Sequence, residues 1–563
     1  MTTTTNTTHA PVRNSYGDGA VEVLGLPIDL DGRTAIQPLT ARGTTYMNVV
    51  LFKGATHALL ADTGMTSQLP EITNWLDNAL PAELPLSVFP LRLTEFDSVS
   101  NVVPLVDRYK AARLFASQYQ GFYWFDFRVE GYGDDWSVKA QYEKAPFAGE
   151  IPLGSDGTHD LEIFQPDLAL LQTHWIFDPT TGTLATSDAF GHVKDLAVRT
   201  ETGISAEEKE AIRQQMVGNR FWWLPGARTE GIADAVRAVF ANRDVQRIVP
   251  AHGAILEGRD VVREHVDLIL ALLEEFAQED PASPPATDRP LADLPRQINP
   301  TPGIPAPSEG KLPRQLQSGV TWLGDCLEQR YQGKYYHAYN SVYVVSGAER
   351  SLIVEGGFPG DLATIEKQLD ELLASGIPPV EYIFATHSET PHASGVGRFL
   401  KKFPDAVAIG GVHDLHQVFP EYADRIHVPG TETIDVDLGD RRFYALPPIL
   451  RDVEMTYWGF DSGSNTLFPG DGFSYSHYHQ DGHCGLVAEE AGSLEIPDMT
   501  ALFAELALAW TRYTDLEPYI KALDQMLSDL EVTHVAPTHG LPITNLSQTV
   551  PEVIDGLRLG ASL

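Results

Sequence analysis

The sequence predicts a layered α/β protein in which one kind of domain occurs twice in tandem. Three observations carry that reading. Short apolar runs of strand length alternate with stretches whose apolar residues recur every three or four positions. Five local signals recur in the same order in the two halves of the chain, as an internal repeat requires. Between the halves, the stretch from Pro281 to Pro313 holds ten prolines. Proline fixes φ and lacks an amide donor, so this segment reads as a semi-rigid linker. The expected organisation is a disordered tail over 1–18, a domain over 19–275, a linker over 276–315 and a second domain over 316–563.

The repeated signals run as follows. In the first half His57–Ala61 reads as a strand ending in Asp62-Thr63-Gly64; in the second, Ser351–Val354 ends in Glu355-Gly356-Gly357. A helical pattern follows each, over Pro70–Leu80 and over Asp361–Leu373. Next comes an apolar run closing on a polar cluster, FPLRLTEFDSVSN in one half and YIFATHSETPHASG in the other. Later, IFDPTTGTLATSDAF matches GFDSGSNTLFPGDGF, which sets Asp188 opposite Asp471. Near each end, RIVPAHG matches THVAPTHG and sets His252 opposite His539.

Bulk composition narrows the function classes. With 43% hydrophobic and 21% charged residues, the chain is composed like a soluble globular protein. Its formal charge of −37 repels nucleic acid and anionic membranes. Neither partner is therefore expected, and nucleases are discounted. The two cysteines, Cys326 and Cys484, are too few for a disulfide framework or a cysteine-based zinc site. The polar start MTTTTNTTHAPVRN lacks the apolar core of a signal peptide. No apolar run approaches the length of a membrane span. A cytoplasmic protein acting on a small molecule is the expectation, and a homo- or hetero-oligomer is compatible with it.

The chemistry-bearing cluster is His387-Ser388-Glu389-Thr390-Pro391-His392. It follows the buried-strand pattern Tyr382–Ala385 and precedes the helical stretch Gly395–Lys402. Histidine and glutamate two positions apart can face one cation, and a histidine five positions on can reach a second. Asp471 lies in Phe468-Pro469-Gly470-Asp471-Gly472, where a carboxylate can bridge two cations. His539 stands at another strand-to-loop exit, after His534-Val535-Ala536-Pro537-Thr538. Imidazole nitrogen and carboxylate oxygen suit zinc or iron, with manganese as a third candidate.

This pattern resembles the metallo-β-lactamase fold, and in particular its flavodiiron and oxygen-binding di-iron branch. That branch carries H-x-E-x-D-H-x-x-G where hydrolytic members carry H-x-H-x-D-H; this chain reads H-S-E-T-P-H-A-S-G. LFPGDGF, APTHG and the early strand NSVYVV extend the likeness over nearly all of the second half. The resemblance implies two tandem αββα sandwich domains and one or two divalent metal ions. Metal one would take His387, Glu389 and Asp452; metal two would take His392 and His539; Asp471 would bridge. Two departures accompany it. Pro391 stands in place of a carboxylate ligand. Asp452, in PPILRDVEM, stands where the family places its third histidine, unless that position is empty and Asp452 is a solvated neighbour of Arg451 and Glu454. The second position is under-ligated, so it is either weak or open to substrate. The histidine-rich loop Ser476–His483 could supply a further ligand or be solvated surface.

The same register in the first half gives Glu95, Asp97, Val99 and Ser100, then Ala169, Asp188 and His252. Lacking most imidazoles, it reads as a non-catalytic copy that packs on the second half. Its aromatic residues (Phe122, Tyr123, Trp124, Phe125, Trp136, Trp222, Trp223) fit an interface, a substrate wall or a core. Three functional readings follow. The first is a hydrolase of an ester, lactone or activated ether, with Asp471 holding the attacking hydroxide and Asp452 moving protons. The second is a di-iron oxidoreductase or oxygenase, which Glu389 recommends, although no flavodoxin domain is apparent in the chain. The third is a silent scaffold or sensor subunit, which Pro391 recommends.

Overall fold

The computed structural model describes residues 10–117, 125–126, 129, 141–154, 159–169, 171–286, 290–295, 311–331, 333–429, 434–478, 485–492 and 494–562. Phe122, Tyr123, Trp124, Trp136, the loop residues His479 to His483 and Cys484 lie outside them, as do the first nine residues and much of the linker. The chain forms two compact units. One comprises Met1–Gln118, Asp134–Leu224 and Thr229–Glu279; the other comprises Tyr119–Gly133, Pro225–Arg228 and Asp280–Leu563.

The first unit is built on two seven-stranded sheets. Its strand Gly43–Lys53 is buried along nearly its whole length, pairing antiparallel with Val21–Leu30 and with Ala58–Ala61. One core joins the inner faces of the two sheets: Val21, Val50, Phe52 and Leu59 from one, Leu161, Ile163, Ile176 and Val249 from the other. Helices complete the layers. Leu69–Ala79 carries a proline in its first turn, where a missing amide costs nothing, and buries Ile72, Trp75 and Leu76. Ala206–Val217 opens on a reciprocal cap between Ser205 and Glu208. Residues Val12–Tyr16, assigned to the tail from their composition, instead form an edge strand paired with Val21–Leu30. Their outward positions stay polar because an edge strand buries little of its outer face.

The second unit repeats the layering with a six-stranded sheet, a five-stranded sheet and the separate hairpin Cys326–Tyr331/Lys334–Tyr339. The strands Ser351–Val354, Val380–Ala385 and Val407–Gly410 run parallel side by side. Across the sandwich, the Phe384 and Phe443 rings meet at 5.0 Å, and those of Tyr343 and Phe468 at 5.4 Å. This is the stacking that the alternating apolar residues of both sheets require. Among the described residues, no helix is long and apolar enough to cross a membrane.

Local geometry also recurs between the units. Asp62 and Glu355 both follow a strand with left-handed φ, 58° and 72°. Asp188 and Asp471 each follow a left-handed residue, Ser187 at 54° and Gly470 at 56°. At Gly470 a side chain would also collide with Thr386 Oγ1, 2.8 Å from a Cβ placed there.

Candidate metal centre

In the second unit five strands end on loops that bring polar side chains to one place. Val354 leads to Glu355, and Ala385 leads to Thr386, His387 and Glu389. The short helix Thr390–Ala393 then carries His392. Pro391 sits in that helix's first turn, a position that suits a residue without an amide proton. Leu446, Phe468 and Val535 lead in turn to Asp452, Asp471 and His539. All of these polar residues are buried.

Two groups of ligating atoms converge, each within 4.8 Å: His387, Glu389 and Asp452 in one, His387, His392 and Asp471 in the other. His387 Nε2 lies 3.2 Å from Asp452 Oδ2. Asp471 Oδ1 lies 3.4 Å from Nε2 of both His392 and His539. His387 Nε2, His392 Nε2, Asp452 Oδ2 and Asp471 Oδ1 are buried without a hydrogen bond among the described residues. Such crowding of unsatisfied donors and acceptors is costly unless something binds them all. A divalent cation fits that donor set.

The surrounding groups fix which atoms face inward. Val453 N donates to Asp452 Oδ1 at 2.7 Å, which leaves Oδ2 toward His387. Glu355 is the hub behind the centre. It accepts from Thr386 N and Oγ1 at 3.1 and 2.6 Å and from Thr538 Oγ1 at 2.8 Å. It also accepts from His392 Nδ1 at 3.1 Å. With its proton given to Glu355, the Thr386 hydroxyl accepts from His387 Nδ1 at 3.1 Å. One carboxylate thus holds two imidazoles with Nε2 turned to the centre, one directly and one through a hydroxyl. Sequence reasoning placed Glu355 only at a strand end; its match with Asp62, beside paired glycines, was the available signal.

Charges follow the geometry. Burial pulls the His392 imidazole down, but Asp471 and Glu355 outweigh it and raise the group well above its ordinary value. Burial lifts the Asp471 carboxyl, yet His392 and His539 hold it below the usual range. His539 is depressed to about 4, chiefly by burial. The Phe503 ring lies 5.3 Å from His539 and covers that side.

The other candidates lie apart. Arg451 and Glu454 pair with each other at 2.7 Å. His477 is buried but joins neither ligand group. Its amide bonds to His337 O at 2.7 Å, and its ring stacks on Tyr339 at 5.5 Å. Trp222, Trp223 and Phe125 are buried.

The matching place in the first unit holds two arginines, which sequence reasoning missed. Arg92 is 1% exposed in its side chain. It donates to Glu95 at 2.6 Å, to Asp188 at 2.8 Å and to Asp97. Arg220 makes two bonds to Glu95, at 2.9 and 2.8 Å. His252 Nε2 lies 2.6 Å from Asp97. Burial raises the Glu95 carboxyl to about 7 against the pull of Arg220, and burial also raises Asp62. The neighbouring cavity of about 10 Å³, lined by Asp188, His192 and Arg220 among others, has room for one water. Val99 is buried, Ser100 follows the short helix Phe96–Val99, and Ala169 is half-buried.

Residues 337–505 match the family described as the Metallo-beta-lactamase superfamily. A comparison with curated proteins found no match. Among solved structures, the metal-soaked Flv1 flavodiiron core from Synechocystis sp. PCC6803 is 15% identical over 46% of this chain and 61% of its own, with a TM-score of 0.36. Rubredoxin oxygen:oxidoreductase from Desulfovibrio gigas is 18% identical over 47% and 62%, with a TM-score of 0.36. A metallo-beta-lactamase from Pontibacter korlensis is 12% identical over 47% and 99%, with a TM-score of 0.29. The chain spans about three-fifths of the length of the first two.

Proposed function

We propose that the second unit, whose residues 337–505 carry a metallo-beta-lactamase superfamily domain, is a metal-dependent hydrolase of small organic substrates, such as esters, lactones or activated ethers. The observation that carries the reading is the convergence of buried, unsatisfied ligand atoms from His387, His392, Asp452 and Asp471. A cation held there would bring the pKa of a coordinated water near neutrality and polarise the bond under attack. The chain's own groups do the rest. Asp471, kept ionised by its imidazole neighbours, offers an acceptor that orients the attacking water. Asp452 offers a second acceptor for proton movement beside His387. Glu355 keeps the imidazoles in register, and Phe503 excludes solvent beside His539. The first unit, with guanidinium groups among its carboxylates, is a non-catalytic copy on this reading.

The test uses the full chain purified without added metal, with elemental analysis and an aryl-ester assay under nitrogen. The expected result is colourless protein holding zinc or manganese, with oxygen-independent turnover that a chelator abolishes. Metal-free protein without turnover on reconstitution would overturn the reading. A second reading, iron redox chemistry, has Glu389 as its support, because in the motif this chain resembles the carboxylate marks the di-iron branch, where hydrolytic members carry imidazole. Visible absorption, bound iron and oxygen-dependent turnover would favour it.

A further inference from the structure

We infer that the centre's two positions rank metal ions differently: an oxygen-rich position retains manganese against zinc, and an imidazole-rich position gives manganese up. This rests on the metal-dependent reading above and adds a property specific to these side chains.

The first position is framed by His387, Glu389 and Asp452, one imidazole and two carboxylates. The second is framed by His392 and His539, both 3.4 Å from the single carboxylate atom Asp471 Oδ1. The helix Thr390–Ala393 offers this position an imidazole and no carboxylate, since Pro391 has no side-chain donor atom. Carboxylate-rich sites suit manganese, and imidazole-rich sites suit zinc. Glu355 sharpens the difference. Its bond to His392 Nδ1 strengthens that ring as a ligand through Nε2. His387 also lies within reach of His392 and Asp471. Should it bind on that side, the first position becomes all carboxylate and the second gains a third imidazole, so the contrast grows. Zinc binds more tightly than manganese at most sites of this kind, so the contrast lies in the margin by which it wins.

The experiment loads metal-free full-length protein with manganese, then titrates in zinc. Released manganese is counted, and the manganese still bound is followed by electron paramagnetic resonance. We expect two steps whose zinc midpoints differ by at least about tenfold, a contrast expected of ligand sets this different. A spin-coupled pair gives way to an isolated manganese signal after the first step. Asp452→His brings the two steps together. Release of both manganese ions in one step from the native protein overturns the inference and leaves the hydrolase reading intact. Failure to load manganese or zinc at all overturns both. The native exchange curve decides the matter even if the variant does not fold.

Discussion

In the first unit Asp62, Glu95, Asp97 and Asp188 surround the guanidinium groups of Arg92 and Arg220; in the second, Glu355, Glu389, Asp452 and Asp471 surround three imidazoles. Each unit sets four carboxylates with buried side chains near the ends of comparable strands, Asp188 among them with its side chain 4% exposed. The first supplies positive charge from its own side chains, and burial lifts Glu95 toward neutrality. In the second, Asp452, Asp471 and Glu355 have no arginine or lysine partner among the described residues, and the raised His392 supplies part of the missing charge. A buried carboxylate cluster needs compensation, and a fixed guanidinium or a bound cation can each provide it. The first solution gives a closed, permanent centre. The second leaves ligand atoms that could take up and release a cation, as the proposed hydrolysis would require.

The strongest way to break this contrast is to remove a ligand. His387→Ala should lower turnover by about 10³-fold or more and strip metal, since the substitution takes a ligand from the centre. Glu95→Ala should change neither metal content nor turnover. Equal losses from the two would show that both centres work. Next in size is Arg92→Ala. Removing one partner from a buried ionic network costs about 3–5 kcal/mol. Hydrogen exchange on the intact chain should show that loss in the first unit's strands. Added divalent cation should recover part of it and raise the metal count per chain. No recovery would mean that the guanidinium does more than stand in for a cation.

The place of His387, Asp471 and His539 was legible because each follows an apolar run and has a side chain suited to metals, whereas Asp452, after Arg451, was reachable only through the family resemblance. The strand Ser351–Val354 and the helix Leu362–Ala374 lie where the periodicity puts them. The first centre was not legible. Arg220 meets Glu95 across 125 positions of sequence, and nothing local to either residue announces the pairing. Arg92 lies closer, inside an apolar run, where a buried charge implies partners. His477 was ambiguous for another reason. The histidine cluster was open to two readings, a ligand source or solvated surface; His477 itself is buried, and backbone pairing with His337 sets where it sits. The edge strand Val12–Tyr16 was missed because only Tyr16 of its five residues is buried, so its sequence lacks a clear apolar alternation.

Acid should separate the units next. His192 and His265 form a buried pair, Nε2 to Nδ1 at 2.9 Å, beside the first unit's centre. Burial depresses them to about 3 and about 4, with Arg199 also lowering His265. Their unfolded counterparts titrate near the ordinary value, so the unfolded state takes up protons first as pH falls. Stability contributed by the neutral pair is therefore complete above the unfolded pKa and declines below it. Between about pH 7.5 and about pH 5 the first unit should lose about 2–4 kcal/mol. Hydrogen exchange across that range measures it, and His192→Gln should flatten the slope. An unchanged slope would assign the acid sensitivity to other groups.

The finest test concerns how the second centre is held. Glu355 accepts four hydrogen bonds through two oxygens. Glu355→Gln keeps the shape but replaces one acceptor with a donor, which then faces donors already committed to that position. The Thr386 hydroxyl and His392 Nδ1 both use Oε1, so the amide can satisfy them only by turning its nitrogen toward Thr386 N. That turn sets the amide's N–H against the Thr386 N–H, so the hub shifts and no longer holds the imidazoles in place, and metal affinity should fall by about 10–100-fold, as expected when the group orienting a ligand is altered. Turnover at saturating metal should fall less, because the ligands themselves remain. The first unit carries Asp62 at this place, but its partners there are Leu91 N and Ser98 Oγ, with Arg92 at 3.9 Å. Asp62→Asn should therefore leave metal affinity untouched and register only as a local change in exchange, which separates a carboxylate that orients ligands from one that only balances charge.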